Sequence, residues 1–148
     1  MGLEKRVPPL ILFGVALQES GMMFNTKRSG NLLPWPWTLN VKGAPMRFEN
    51  RAAAEHQLVS ILAKGIMLVD IGSMQVCWRY HKERFTHERE ALDPYSNLRA
   101  GADILVEEFR ASGDWFTAVG RYHSPQNSVR AKQYATAAFR RIGLLDHA

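Results

Sequence analysis

The first residues with chemical potential are Gly14-Val15-Ala16-Leu17-Gln18-Glu19-Ser20-Gly21, where a carboxylate and a hydroxyl close an apolar run. Leu10, Leu12, Phe13, Ala16 and Leu17 recur at helical spacing, Pro8 and Pro9 suit a first turn, and Gly21 suits the position beyond the last. This predicts a mostly buried helix over residues 8–20, with Glu19 near its C-terminal end. Apolar surroundings disfavour ionised Glu, so the group would hold a proton near neutrality. Such an acid is what cleavage of a glycosidic bond needs. The plainer reading is a surface Glu at a helix end.

Two tryptophans, Trp35 and Trp37, stand before a predicted hairpin and could stack on sugar rings or fill a core. The hairpin joins Thr38–Val41 to Met46–Phe48 through Lys42-Gly43-Ala44-Pro45. In Ile66–Val76, an apolar run holds Asp70, Gly72, Ser73 and Gln75; it reads as a buried strand or as a loop entering a helical turn. Asp70 and Gln75 need partners if buried. Asp70 is either a second carboxylate beside Glu19 or a brace for the turn before Gly72. His123 is either a structural histidine or a base.

Around these residues the elements must be helical. Asn50 is a predicted N-cap for residues 51–64, with Ala54, Leu58, Ile61 and Leu62 inward and Gly65 as the stop. The charged segment 81–96 reads as surface with weak helix. Asn97 is a predicted cap for a helix to Ser112, with Leu98, Ala102, Leu105 and Phe109 inside. Asp114 would cap a helix through Tyr122, and residues 128–142 form the last one, carrying Val129, Tyr134, Phe139 and Ile142. Residues 22–50 are rich in turn formers, among them Asn25, Ser29 and Gly30. The expectation is a mainly α (α+β) fold with a small β-hairpin, in one domain spanning 1–148.

The composition narrows the partners. The chain has 148 residues, 46% apolar and 22% charged, which excludes a disordered segment. A net charge of +5 suits an anionic partner or surface, yet the basic residues are scattered and no nucleic-acid stripe is evident. Cys77 is the sole cysteine, so neither an intrachain disulfide nor a multi-cysteine zinc site is expected. Lys5-Arg6 before Val7–Leu17 imitates a signal peptide, but two prolines open the run and Gln18-Glu19 closes it, which favours a helix of the fold. No stretch reaches the roughly 18–20 apolar residues of a membrane span. If the protein acts outside the cytoplasm, the expectation is that its export signal is absent from this chain.

Taken together, Glu19-Ser20-Gly21, Asp70-Ile71-Gly72-Ser73-Met74-Gln75-Val76 and Ala118-Val119-Gly120-Arg121-Tyr122-His123 resemble, in order, the motifs of the SLT-type (family 1) lytic transglycosylases of the lysozyme-like superfamily. Asn97–Ala102 is similar to that family's N-I-x-x-G-A helix start, and the similarity runs over residues 7–142. The sequence departs from the pattern at Ser73, where Leu is usual, at His123, where Asn is usual, and in the long loop between Glu19 and Gly72. The resemblance implies a lysozyme-like helical domain with Glu19 as catalytic acid. It places Ser20, Met74, Gln75, Tyr122, His123 and Tyr134 at the substrate, and gives Asp70, Gly72 and Asn97 structural or secondary roles. Trp35 and Trp37 would flank the glycan groove. The substrate is peptidoglycan, cut between N-acetylmuramic acid and N-acetylglucosamine to leave a 1,6-anhydro end, without metal or organic cofactor. Two other readings are a hydrolytic lysozyme and a catalytically weak peptidoglycan-binding assembly module. Pro34–Val41 resembles an insertion of members tied to conjugative transfer, pilus or type IV secretion machinery, which implies a periplasmic site of action.

Overall fold

The computed structural model describes residues 7–24 and 31–143. The turn formers Asn25, Ser29 and Gly30 lie outside these residues. In chain order the elements are α1 (Pro9–Ser20), β1 (Gly21–Phe24), β2 (Asn31–Pro34), β3 (Thr38–Val41), β4 (Ala44–Arg47), α2 (Arg51–Ala63), β5 (Val69–Ile71), β6 (Val76–Cys77), α3 (Trp78–His81), α4 (Pro94–Ser112), α5 (Trp115–His123) and α6 (Ser128–Arg141). The fold is mainly α. The described residues fall into two compact units, Glu19–Ala100 and residues 7–18 with 101–143.

The Glu19–Ala100 unit is built on an antiparallel sheet in the order β4-β3-β5-β6. Its register aligns Leu39, Ile71 and Val76 across three strands, and all three are buried. One residue along, Asn40, Asp70 and Cys77 form the matching row on the opposite face. The β3–β4 turn is shorter than expected. Only Lys42 and Gly43 form it, with φ of 52° and 86°, the two left-handed positions of a type I′ hairpin. The Asn40 Oδ1 accepts the Gly43 N–H at 2.9 Å, and the second strand therefore starts at Ala44 and takes in Pro45. Asn50 caps α2 as expected, accepting the Ala53 N–H at 2.9 Å, and Ala54, Leu58 and Ile61 are buried. The β1–β2 pair was not anticipated. It matches Met22 with Leu33 and Met23 with Leu32, without the apolar–polar alternation that marks a strand.

Two expectations in this unit are corrected. Segment 81–96 is not simply surface, because Phe85, Ala91 and Leu92 are buried. Two 3₁₀ turns, Lys82–Arg84 and Glu88–Leu92, carry this segment, and their three-residue period escapes a search at 3.6. Asn97 is not a cap. The helix starts at Pro94, and Asp93 caps it by accepting the Ser96 N–H at 2.9 Å, with proline in the first helical position.

The other unit is a helical assembly. Asp114 caps α5 by accepting the Thr117 N–H at 2.8 Å, and Asn127 caps α6 by accepting the Arg130 N–H at 3.0 Å. Phe109 stacks on Trp115 at 4.2 Å and Phe116 meets Phe139 edge-on at 5.4 Å. Arg121 Nε bonds Glu108 Oε2 at 2.6 Å, and Arg141 Nε bonds Gln18 Oε1 at 2.6 Å. Val129, expected as an apolar point of the last helix, is 65% exposed. The tightest packing lies between α5 and α6. A Cβ at Gly120 would stand 2.5 Å from the Ala131 carbonyl oxygen. Gly120→Ala should therefore push the two helices apart and lower stability by about 1–3 kcal/mol, read as a shifted urea midpoint at unchanged slope.

Candidate active site

Glu19 is the penultimate residue of α1 and is half-buried, with the chain turning at once into β1. What fixes that helix end is Ser20, which is fully buried. Its Oγ donates to the Ser73 carbonyl at 2.8 Å and accepts the Trp35 N–H at 3.2 Å. The same N–H reaches the Ser20 carbonyl at 3.0 Å. The peptide next to Glu19 is thus tied to the Gly72–Gln75 turn and to the segment entering β3. In this position Ser20 holds the backbone beside the carboxylate.

The Gly72-Ser73-Met74-Gln75 turn joins β5 to β6 and is held from two sides. Gly72 N–H donates to the Thr38 carbonyl at 2.8 Å, and the Gln75 Nε2 donates to the carbonyls of Gly72 and Thr38 at 2.9 and 3.2 Å. Gln75 itself takes a left-handed backbone, φ 49°, a conformation that costs a side-chain-bearing residue energy and needs such bonds to persist. From beneath, the fully buried Asn97 side chain accepts the Met74 N–H at 2.8 Å. It donates to the carbonyls of Ile71 and Ala91 at 2.7 and 3.0 Å. Gly72 has φ 78°, and a Cβ there would fall 2.5 Å from Asn97 Nδ2. Asn97 thus braces the turn. Met74 is 0% exposed and packs the turn.

Asp70 lies instead in the row Asn40, Asp70, Cys77, and its carboxyl takes a hydrogen bond from the Cys77 thiol. Burial raises the Asp70 pKa, partly offset by that bond. Burial also pushes the Cys77 thiol up. Trp35 and Trp37 are half-buried. The Trp35 indole N–H donates to the Phe48 carbonyl at 2.8 Å, which fastens the ring to the end of the hairpin.

In the helical unit, Tyr122 is half-buried on α5. His123 stacks on the buried Tyr134 with ring centroids 4.5 Å apart and planes within 5°. Withdrawal of the imidazole from water lowers the His123 pKa, and the positive charge of Arg130 adds to this. His123 itself is exposed, so the stack lays its ring flat over Tyr134 at the surface. Among the described residues, no cluster of three His, Cys, Asp or Glu could hold a metal ion. Sequence reasoning missed Thr38, whose carbonyl receives two of the turn's bonds. It also misplaced Asn97, although Asp93-Pro94 is the stronger helix-start signal.

The chain matches the family model of the transglycosylase SLT domain over residues 2–142. It belongs to that family, and the mainly α architecture with its small antiparallel sheet is the lysozyme-like SLT fold. The family consists of lytic transglycosylases acting on peptidoglycan, and that is the enzyme class of this chain. Among curated proteins and among solved structures, none matches it.

The bracing makes two predictions. Asn97→Asp replaces a donor to two buried carbonyls with an acceptor, and should cost at least about 2 kcal/mol in chemical denaturation. For Asp70 the folded pKa is raised, so its contribution to stability is fully present below the unfolded pKa and is lost as pH rises through the folded one. Asp70→Asn should therefore raise the thermal midpoint at neutral pH, and the gain should vanish in acid. The check is a pair of melting curves at the two ends of that range.

Proposed function

We propose that Glu19 is the catalytic acid of this transglycosylase. The observation that carries this is the lock on its helix end: Ser20, itself out of reach of solvent, ties the adjacent peptide to the motif turn and to Trp35. Catalysis by proton transfer rewards such fixed positioning. Protonated Glu19 gives its proton to the glycosidic oxygen between N-acetylmuramic acid and N-acetylglucosamine. As the C1–O bond breaks, the substrate's acetamido oxygen bonds to C1, which makes an enzymic nucleophile unnecessary. Glu19, now a carboxylate, takes the proton of the muramoyl C6 hydroxyl. O6 bonds to C1, the acetamido oxygen leaves, and Glu19 is protonated again. The product carries a 1,6-anhydro end and no water is consumed. Tyr122 and backbone carbonyls orient the sugar.

The likeness of Pro34–Val41 to an insertion of conjugation and secretion members supports a role in opening the wall locally for such an apparatus. The site of action is then the periplasm, and components of that machinery are the partners. Trp35 and Trp37 flank one end of the glycan groove in this reading.

Glu19→Gln should reduce wall cleavage by a factor of at least ~10² to 10⁴ while the protein stays folded. Product masses from purified wall should show the anhydro end. A reducing end, together with an Asp70→Asn variant as inactive as Glu19→Gln, would establish a two-carboxylate lysozyme. Wall binding without cleavage by the wild type would mark an assembly module.

A further inference from the structure

A pocket of about 340 Å³ opens between α5 and α6, within the helical unit. Its α5 side is formed by Phe116, Thr117, Gly120, Arg121 and Ser124, the i, i+1, i+4, i+5, i+8 stripe of one helix face. By the same spacing Ala118, Val119 and Tyr122 fall on the opposite face, so this pocket is separate from the surface that carries Tyr122. Its volume is at the low end of ligand sites and suits something of dipeptide size.

The lining has a definite character. Phe116, Pro125 and Ala131 give apolar wall, and Arg121 and Lys132 are the basic residues of the lining, of which Arg121 is already ion-paired with Glu108. Arg121 is held in place through its Nε by Glu108. Lys132 is exposed and has no carboxylate partner among the described residues. Thr117, Ser124, Gln126 and Ser128 add neutral hydrogen-bonding groups. The absent side chain of Gly120 lets the helices close behind the pocket as its floor.

Cations over apolar wall, in a space for two residues, select a short acidic peptide with small side chains. Peptidoglycan carries such a peptide on each muramoyl unit, with free carboxylates and alanine methyl groups. We propose that this pocket binds the peptide stem of the substrate, its carboxylate toward Lys132 and Arg121 and its methyl group against Phe116, Pro125 and Ala131. The inference rests on peptidoglycan being the substrate and adds a second recognition site to it.

The test is titration of isotope-labelled full chain with synthetic L-alanyl-γ-D-glutamyl-diaminopimelyl-D-alanine, followed by backbone amide shifts. Saturable shifts are expected at Gln126, Ser128 and Ala131. Binding should weaken at least about tenfold when the peptide's carboxyls are amidated, and to a similar degree in Lys132→Glu, as loss of a charge-assisted bond requires. Glu19→Gln should bind the peptide as the wild type does. In cleavage assays, peptide-bearing strands should have a lower KM than strands stripped of peptide, and Lys132→Glu should narrow that ratio. No saturable shift, equal affinity for the amidated peptide, or equal affinity for an unrelated Glu-rich peptide would overturn the proposal; the last would assign the pocket to an acidic protein partner. If the wild type cleaves neither kind of strand, the catalytic reading fails while the titration still decides the pocket.

Discussion

The carboxamide of Asn97 lies under Gly72, closer than any Cβ at that glycine would permit, and three backbone groups from different segments converge on it. A buried amide with its donors and its acceptor all satisfied is a directional joint, because leaving any one group unpaired carries a desolvation penalty. Through this joint the 3₁₀ segment before α4, the end of β5 and the turn after it take a single arrangement. The turn in turn presents the Ser73 carbonyl that Ser20 needs, so the order at the helix end bearing Glu19 is inherited from a residue far along the chain.

This arrangement separates residues that define a motif from residues that meet a substrate. Ser20, Gly72, Met74 and Asn97 are buried, and Gln75 spends its amide on backbone carbonyls. Most of the motif thus encodes a backbone geometry. The departure at Ser73 is understandable on the same grounds: the bond to Ser20 uses its carbonyl, which any residue provides.

Helix positions were largely legible in the sequence because caps and stops are local. Asn50 and Asp114 act where their side-chain chemistry places them, and Gly65, Gly113 and Gly143 follow helix ends. The helix that bears Glu19 was legible for the same reason, since it is short and apolar with proline at its start. The parts that escaped are those decided at a distance. Asn97 looks like a cap because asparagine favours caps; only the approach of Gly72 makes it a buried joint. Asp70 reads either as a second carboxylate or as a brace for the turn, and the register of β3, β5 and β6 carries it to the other face with Asn40 and Cys77. The β1–β2 pair escaped because its strands are apolar on both faces, a pattern without a period.

The hairpin has a consequence at the margin of its sheet. A two-residue turn at Lys42-Gly43 makes Val41 and Ala44 the hydrogen-bonded pair, so Asn40 and Pro45 form the next, non-bonded one. At that position the backbone nitrogen of β4 points away from β3, toward the open side, and in proline it carries no hydrogen. The outermost strand therefore lacks a donor where an incoming strand would need one, and the exposed Arg47 two residues on adds a charge. An edge strand of this kind resists extension by a second chain.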